Sequence, residues 1–256
     1  MENARYILKI FRGHPGNQYW EEFELQNEPY ANVISSLMEI QKNPINRQGK
    51  KVEPVVWEQG CLEEVCGSCS MLINGRPRQA CTALINVIIE ETKNTTITLA
   101  PFSKFPLVRD LIVDRDSMFE NLKKAHAWID VDSTFDRGFG PKISPEKQEM
   151  MYALSTCMTC GCCVEACPQV NAKSKFMGPQ IFSQVRLFNA NPTGMHQKAK
   201  RLHAVMQEGG ISDCGHAQNC VKVCPKNIPL TDSIAAIGRD TTLQAFKDIF
   251  SLPDRE

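Results

Sequence analysis

The sequence has no apolar segment long enough to suggest a membrane-spanning helix. Its longest aliphatic run, about residues 83–89, is interrupted by Asn86, whereas a transmembrane helix needs roughly 18 apolar residues. The first residues, Met-Glu-Asn-Ala-Arg-Tyr, also do not have the basic and then apolar pattern of a secretory signal. We therefore expect a chain that is soluble by itself and that relies on a partner for any position at a membrane.

A net charge of either sign is absent as well. The chain has 29 basic and 29 acidic residues, so its formal net charge is zero. Without an overall electrostatic field there is nothing to attract nucleic acid or anionic lipid, and we expect no nucleic-acid partner. The length of 256 residues suits one large domain or two of ordinary size.

Motifs for substrate chemistry are also missing. Gly138-Phe-Gly140 is followed by Ile143 where a dinucleotide fingerprint needs its third glycine, and no HExxH, P-loop or G-x-S-x-G motif occurs. The histidines are scattered, and we expect ordinary packing or surface roles for His14, His126, His196, His203 and His216. Nothing therefore indicates that this chain transforms an organic substrate, so no catalytic residue is predicted.

Cysteine, in contrast, is abundant, with 12 residues in the chain. A secreted disulfide scaffold normally has a signal peptide and a much shorter chain. Zinc is the stronger alternative, but no two C-x2-C units stand at the separation found in zinc fingers. The cysteines instead fall into sets with the spacings of ferredoxins, which predicts iron–sulfur clusters in a reducing compartment and favours the cytoplasm.

The first cysteine set has the C-x4-C-x2-C spacing of plant-type 2Fe–2S ferredoxins, with a fourth cysteine further along. Its members, the predicted 2Fe–2S ligands, are Cys61, Cys66, Cys69 and Cys81. A loop around a cluster must turn its amide N–H groups toward sulfur. We expect Gly60 and Gly67 to supply the positive φ angles that this requires.

The second and third sets resemble a bacterial-type two-cluster arrangement. Residues 157–168 hold a C-x2-C-x2-C-x3-C-P run, whose fourth cysteine, Cys167, ligates the neighbouring cluster in such proteins. The matching half is incomplete, because Ala217 stands where its second cysteine belongs. One cluster then receives four thiolates and is predicted to be 4Fe–4S, with Cys157, Cys160, Cys163 and Cys224 as ligands.

The other cluster receives only three thiolates, from Cys167, Cys214 and Cys220. A cube corner without a ligand tends to lose its iron, so we predict a 3Fe–4S cluster. As an alternative, solvent or His216 can cap a fourth iron. Cys162 is left without a cluster and is predicted to be a small buried apolar residue.

Periodicity in the N-terminal part predicts a small mixed sheet around one helix. Asn32 can cap a helix over residues 33–40, and Asn74-Gly75 is typical of a type I′ hairpin turn. Strands are predicted over residues 5–11, 19–25, 52–57, 70–73, 77–81 and 95–99. This order fits a ubiquitin-like β-grasp domain over residues 1–105.

The remainder is predicted to be helical. An amphipathic helix over residues 107–128 and an irregular bridge over 130–145 form a connecting segment, residues 106–144. Further helices are predicted over 145–154, 179–189, 199–207 and 231–250, with Gly238 as a point where the last can break. The predicted class is α+β: a plant-type ferredoxin domain, then an all-α, bacterial-ferredoxin-like domain over residues 145–256.

The chain resembles, over essentially its whole length, the iron–sulfur subunits of succinate dehydrogenase and fumarate reductase. Beyond the cysteines, this resemblance rests on Asn43-Pro44, Cys66-Gly67-Ser68-Cys69, Arg78-Gln79-Ala80-Cys81-Thr82, Val108-Arg109-Asp110-Leu111, Ser183-Gln184-Val185-Arg186 and Cys224-Pro225-Lys226. Cys61-Leu62-Glu63-Glu64 and the run Lys173-Ser-Lys-Phe-Met-Gly178 are most similar to the Gram-positive, Bacillus-type succinate:menaquinone oxidoreductases.

The resemblance implies an electron-transfer subunit of an enzyme complex. Its partners would be a flavoprotein subunit with covalent FAD, which oxidises succinate, and a membrane-anchor cytochrome b subunit with haem b. Electrons would pass one at a time through the 2Fe–2S, 4Fe–4S and 3Fe–4S clusters to quinone, in this type menaquinone. The chain would lie peripherally on the cytoplasmic face of the cell membrane, held by the anchor.

Two positions differ from the ubiquinone-type members of this family. Those members have Trp where this chain has Ala172, and His where it has Gly215. We therefore assign quinone chemistry to the anchor. The open alternatives are a fumarate reductase subunit with the relay in reverse, a soluble relay for another flavoenzyme, and a zinc-binding interaction module, which would be colourless rather than brown.

Overall fold

The computed structural model describes residues 5–130 and 142–250 of the chain. It divides into two compact units. The first comprises Met1–Arg115 with Met158–Ala166, and the second comprises Asp116–Cys157 with Cys167–Glu256. Within the described residues, no helix combines the length and apolar character that crossing a membrane requires.

Among the residues that the structure describes, the strands all belong to the first unit and form two sheets. The strands are β1 (Arg5–His14), β2 (Asn17–Gln26), β3 (Ser70–Ile73), β4 (Arg76–Gln79), β5 (Thr96–Ala100), β6 (Leu107–Arg109) and β7 (Ile112–Val113). The larger sheet has the order β2-β1-β5-β3-β4, with β1 parallel to β5 and the other pairs antiparallel. Strands β6 and β7 form a separate two-stranded sheet.

Helices occur in both units. They are α1 (Val33–Lys42), α2 (Ile85–Thr92), α3 (Asp116–Lys124), α4 (Pro145–Ser155), α5 (Cys162–Ala166), α6 (Pro179–Ala190), α7 (Lys198–Met206), α8 (Asn219–Lys222) and α9 (Leu230–Phe250). Short 3-10 helices occur at Gly194–Gln197 and Ile211–Asp213.

The first unit is built around an apolar layer between the larger sheet and α1. Asn32 caps α1, because its side chain accepts from the Ser35 amide while the Ser35 hydroxyl accepts from the Asn32 amide. The helix buries Val33, Leu37 and their apolar neighbours against alternate residues of β1, β3 and β5. Helix α5 packs on β4, which brings residues 162–166 into this unit.

A buried ion pair joins β1 to the β6–β7 turn. The Asp110 carboxylate accepts from the amides of Gly13 and Val56, both at 2.8 Å, and from the Arg12 guanidinium at 3.4 Å. The Arg12 and Asp110 side chains are each only 2% exposed. This pair therefore holds three distant segments of the first unit together.

The second unit is a helical assembly. Helix α6 packs against α9, α7 and α4, and α7 also packs against α9. The core of this unit contains Phe176, Phe182, Leu202, Ile234 and Ile237, and Cys167 belongs to the same cluster.

Most of the predicted elements are confirmed. The structure has the strands predicted near residues 5–11, 19–25, 70–73, 77–81 and 95–99, and the helix over 33–40. Asn74 and Gly75 have φ angles of 50° and 74°, and Ile73 pairs with Arg76, as a type I′ turn requires. The mixture of a sheet-containing unit and a helical unit agrees with the predicted α+β class at this coarse level.

The predicted strand over residues 52–57 is wrong. Its backbone bonds to side chains and to a turn instead of to a neighbouring strand. The carbonyls of Glu53 and Pro54 accept from Arg12, and the Val56 amide donates to Asp110. The Val56 carbonyl accepts from the Leu111 amide in the β6–β7 turn at 3.2 Å, so residues 52–57 are held by these contacts and form no strand.

The predicted helix over residues 107–128 is wrong in its first half. Residues 107–113 form the β6–β7 hairpin, because Asp110 adopts a left-handed φ of 47° and is held there by its buried contacts. The helix begins only at Asp116 and ends at Lys124.

Helix α2 was not predicted, and α9 continues through Gly238 without a break. Most of the predicted irregular bridge, residues 131–141, lies outside the described residues.

Candidate iron–sulfur sites

The loop between Cys61 and Cys69 turns its backbone amides toward sulfur. Cys61 Sγ accepts from the amides of Glu63, Val65 and Cys66 at 3.4, 3.2 and 3.3 Å. The Cys61 amide donates to Cys66 Sγ at 3.4 Å. Such donors stabilise negatively charged sulfur, which is the form that binds iron.

Proton affinities in this loop reflect the same arrangement. The Cys61 amide and the Ser68 hydroxyl lower the pKa of Cys66 to about 6. Burial raises the pKa of Cys81 to about 12, and the adjacent Cys69 and Cys61 thiols add to this rise. The four predicted 2Fe–2S ligands are thus brought together in one small region of the first unit.

The two glycines of the loop act differently. Gly67 has the expected positive φ, 77°, and its position leaves no room for a Cβ atom. The prediction of a positive φ is wrong for Gly60, which lies outside the left-handed region. Gly60 is needed for space instead, because a Cβ atom there would lie 2.9 Å from Cys66 Sγ. Leu62 and Glu64 supply the other left-handed residues of the loop, with φ angles of 63° and 58°.

The three predicted 3Fe–4S ligands line one cavity of the second unit. This cavity, of about 220 Å³, is bordered by Cys167, Cys214 and Cys220, with Ala217 and His216 on the same loop. Its remaining wall is largely apolar and includes Phe176 and Ile234. Burial raises the pKa of Cys220, and the nearby Cys167 and Cys214 thiols act in the same direction. The donor set and the cavity therefore fit a small cluster.

The four predicted 4Fe–4S ligands are divided between the units. Cys160 and Cys163 belong to the first unit, and Cys157 and Cys224 belong to the second. The Ile228 amide donates to Cys224 Sγ at 3.4 Å, a contact suited to a thiolate ligand. That these four cysteines hold one common 4Fe–4S cluster stays a prediction.

Cys162 is fully buried within α5, as predicted for the cysteine left without a cluster. Its thiol donates to the Cys160 sulfur and thereby lowers the pKa of Cys160 to about 7. The same hydrogen bond, together with burial, raises the pKa of Cys162 far above that of an ordinary thiol.

Within residues 5–130 and 142–250, no three His, Cys, Asp or Glu side chains are placed to hold a single metal ion. The thiolates of an iron–sulfur cluster are shared among its two to four iron atoms and so need not converge on one point. The inward amides of the Cys61 loop and the three-cysteine cavity are the features that fit clusters here.

Three polar residues next to the cysteines were missed by the sequence interpretation. Gln79 lies between Cys69 and Cys162, and Arg115 donates to the carbonyls of Ser68 and Gly67 at 3.0 and 3.4 Å. The third of these residues is Glu165, which is buried in α5. Its carboxylate accepts from the amides of Ser103 and Lys104 and from the Ser103 hydroxyl, and these bonds anchor the helix. Gln79 stands in the Arg78–Thr82 run that supports the resemblance, but no spacing in the sequence indicates these contacts, most of which join residues that are distant in the chain.

Comparison with known proteins gives two domain matches. Residues 7–120 match the family model of the 2Fe-2S iron-sulfur cluster binding domain, and residues 153–228 match that of the 4Fe-4S dicluster domain. These matches confirm the predicted order, with a 2Fe–2S ferredoxin-type domain followed by a 4Fe–4S dicluster domain.

Two curated relatives align over almost the whole chain. The succinate dehydrogenase iron–sulfur subunit of Bacillus subtilis is 59% identical, over 97% of this chain and 96% of the relative. A fumarate reductase iron–sulfur subunit of Wolinella succinogenes is 32% identical, over 91% of this chain and 95% of the relative.

A solved structure, the Mycobacterium smegmatis Sdh1 complex in the apo form, contains a chain with a similar fold. The TM-score is 0.71, with 21% identity, over 99% of this chain and 100% of that chain. At this identity the similarity concerns the fold alone, and the assignment to a family rests on the two sequence relatives. The chain belongs to the family of iron–sulfur subunits of succinate dehydrogenases and fumarate reductases.

Proposed function

We propose that this chain is the electron-transfer subunit of a succinate:quinone oxidoreductase, the succinate dehydrogenase of a respiratory chain. It is a part of the enzyme that binds no substrate itself. The observation that supports this most directly is the presence of all three cysteine sets in a chain 59% identical to the Bacillus subtilis subunit. When bound, each cluster supplies a centre that takes up and gives up one electron, at a potential set by its type and surroundings.

The residues that hold these groups are the cysteines of the three sets. Cys61, Cys66, Cys69 and Cys81 would hold the 2Fe–2S cluster, and Cys157, Cys160, Cys163 and Cys224 the 4Fe–4S cluster. Cys167, Cys214 and Cys220 would hold the 3Fe–4S cluster in the cavity they line. The apolar wall of that cavity limits water, and the loop amides stabilise the ligand sulfurs of the first site.

We also propose fold names and boundaries for the two parts of the chain. The sheet with α1 corresponds to a β-grasp, plant-type ferredoxin domain over residues 1–105. Residues 106–144 would connect it to an α-helical ferredoxin domain over residues 145–256. The sheet order β2-β1-β5-β3-β4 and the helical packing of the second unit support these names.

The partners in this proposal are a flavoprotein subunit with FAD and a membrane-anchor cytochrome b subunit with haem b. Electrons would enter at the 2Fe–2S site and leave at the 3Fe–4S site toward the anchor and menaquinone. The chain would then lie peripherally on the cytoplasmic face of the membrane. Ala172 and Gly215 offer no quinone-binding side chain, so the quinone site is assigned to the anchor.

Disruption of the last site tests the proposed electron route. Cys220→Ser should block quinone reduction by succinate, or detach the complex from membranes. Dye reduction by succinate should survive, because the dye takes electrons upstream of this site. The route is contradicted if the variant loses dye reduction while succinate still reduces haem.

A fumarate reductase subunit is the second candidate, because the chain is also 32% identical to such a subunit of Wolinella succinogenes over 91% of its length. The same cysteines would then carry electrons in the opposite direction. Membranes that contain the complex distinguish the two, by comparing succinate oxidation by quinone with fumarate reduction by quinol. Faster succinate oxidation supports the first assignment, and faster fumarate reduction supports the second.

A further inference from the structure

Gln79, the last residue of β4, lies buried between two cysteines that are distant in sequence. Only 1% of its surface is exposed. Its side-chain amide contacts Cys69 Sγ through Oε1 at 3.5 Å and Cys162 Sγ through Nε2 at 3.6 Å. Nε2 also donates to Ser70 Oγ at 2.8 Å. All of these residues belong to the first unit.

The fold fixes Gln79 in this position. Ser70 and Gln79 are directly paired across β3 and β4, and α5 packs on β4 next to them. The Ser70 hydroxyl donates its one proton to the Gly67 carbonyl at 2.6 Å. Its oxygen can still accept a hydrogen bond, and Gln79 Nε2 donates that bond. The amide therefore lies in a small polar pocket whose members satisfy one another.

Loading of the first site changes what Gln79 can bind. A cysteine that binds iron is a thiolate and has no proton to donate, so the amide oxygen of Gln79 loses its donor at Cys69. A half-turn of the amide presents Nε2–H to Cys69 instead. The oxygen then faces Ser70, whose hydroxyl can turn from the Gly67 carbonyl and donate to it, because that carbonyl keeps the Arg115 guanidinium as a donor at 3.4 Å. The pocket thus gives the amide oxygen a donor in both orientations.

We propose that Gln79 is a positioning residue that donates a hydrogen bond to the Cys69 thiolate and raises the reduction potential of the 2Fe–2S cluster. The Ser70 hydroxyl, paired with Gln79 across β3 and β4, holds the amide in that orientation. A hydrogen bond to a ligand sulfur stabilises the reduced cluster, which has the additional negative charge. This inference rests on the ligand assignment of the proposed function.

The direct test is a potentiometric titration of the 2Fe–2S signal, followed by EPR, on the cluster-loaded full chain. Gln79→Leu keeps a side chain of similar size and removes the amide. The equilibrium constant for reduction of the cluster should fall about tenfold, as expected for one hydrogen bond to a charged group. For a one-electron centre, tenfold corresponds to about 59 mV.

Ser70 variants separate orientation from packing. Ser70→Ala removes the hydroxyl that holds the amide and should lower the potential by less than Gln79→Leu does. Ser70→Thr retains a hydroxyl and should keep the potential near that of the wild type. Combined with Gln79→Leu, Ser70→Ala should cause no further fall, because Ser70 acts through the amide.

Tyr6→Phe is the matched control, because it removes another buried hydrogen bond of the first unit, from Tyr6 to Ser36 at 2.7 Å, without contacting a cysteine. It should leave the potential unchanged. An unchanged potential in Gln79→Leu overturns the proposal. If Gln79→Leu fails to retain its cluster, equal potentials in Ser70→Ala and Ser70→Thr overturn it.

The outcome is separable from the proposed function. A wild-type chain without any 2Fe–2S signal overturns the ligand assignment and this inference together. The predicted pattern of potentials in a complex that does not oxidise succinate supports this inference and overturns only the proposed activity.

Discussion

The backbone of Gly67 lies directly against Cys160. A Cβ atom at Gly67 would be 2.9 Å from Cys160 Cβ and 3.0 Å from both Cys160 Cα and the Met158 carbonyl oxygen. Gly67 belongs to the loop of the predicted 2Fe–2S ligands, and Cys160 is a predicted ligand of the 4Fe–4S cluster. Within the first unit, the two cysteine loops are thus in contact at a point where only glycine fits.

Gly67→Ala should disturb both loops. The new methyl group meets backbone, and the left-handed φ of 77° adds strain of about 1–2 kcal/mol. We expect a lower content of 2Fe–2S and 4Fe–4S clusters per chain, measured by EPR after anaerobic purification. Gly75→Ala is the control, because its φ of 74° gives similar strain and nothing lies within 4 Å of the added atom. Equal cluster contents in the two variants would disprove the importance of this contact.

Asp110→Ala should strongly destabilise the first unit. It leaves the buried Arg12 charge without one of its partners and removes the acceptor for the Gly13 and Val56 amides. Because Arg12 keeps its ion pair with Glu21, the cost comes mainly from the two amides that lose their acceptor, about 1–3 kcal/mol each. Chemical denaturation measures this cost. Glu22→Ala, which breaks an exposed pair with Arg47, should leave the unfolding midpoint unchanged, and equal effects would contradict the account.

Cys162→Ala should retain all three clusters at a packing cost of about 1 kcal/mol. Cys163→Ala should lose the 4Fe–4S cluster and destabilise the fold around it, because ligation is coupled to folding. Iron and acid-labile sulfide analysis with EPR distinguishes the two variants. Reversed phenotypes would mean that Cys162 is the ligand.

Ala217→Cys should convert the 3Fe–4S cluster to 4Fe–4S by supplying the missing ligand. Ala217 lines the same cavity as the three cysteines of that set. The EPR signal of the oxidised 3Fe–4S cluster should disappear. Ala235→Cys is the control, because Ala235 borders the same cavity from α9 and has no place in the ligand spacing. Retention of the 3Fe–4S signal in Ala217→Cys would contradict the ligand count.

Local signals in the sequence predicted the elements that depend on local interactions. Asn74-Gly75 requires positive φ angles in a two-residue turn, and the Asn32 cap lies next to its helix, so both could be read from neighbouring residues. The cysteine spacings likewise predicted the sets that the structure brings together in the 61–69 loop and in the three-cysteine cavity.

Long-range pairing determines the elements that were predicted wrongly. Residues 52–57 and 107–113 follow the buried contacts of Arg12 and Asp110, whose positions in the chain are far apart. Helix α2 was missed because its β-branched residues disfavour helices locally, whereas burial of Ile85 and Ile88 stabilises it. Gln79 and Cys162 are separated by 83 positions, so no spacing could indicate their contact.

The central claim is that this chain holds a 2Fe–2S, a 4Fe–4S and a 3Fe–4S cluster through the three cysteine sets. EPR with iron and acid-labile sulfide analysis, on protein purified anaerobically, tests it most directly. We predict a 3Fe–4S signal in the oxidised protein, a reducible 2Fe–2S centre and one 4Fe–4S cluster per chain. Two 4Fe–4S clusters in the unmodified protein, or zinc without sulfide, would contradict the account.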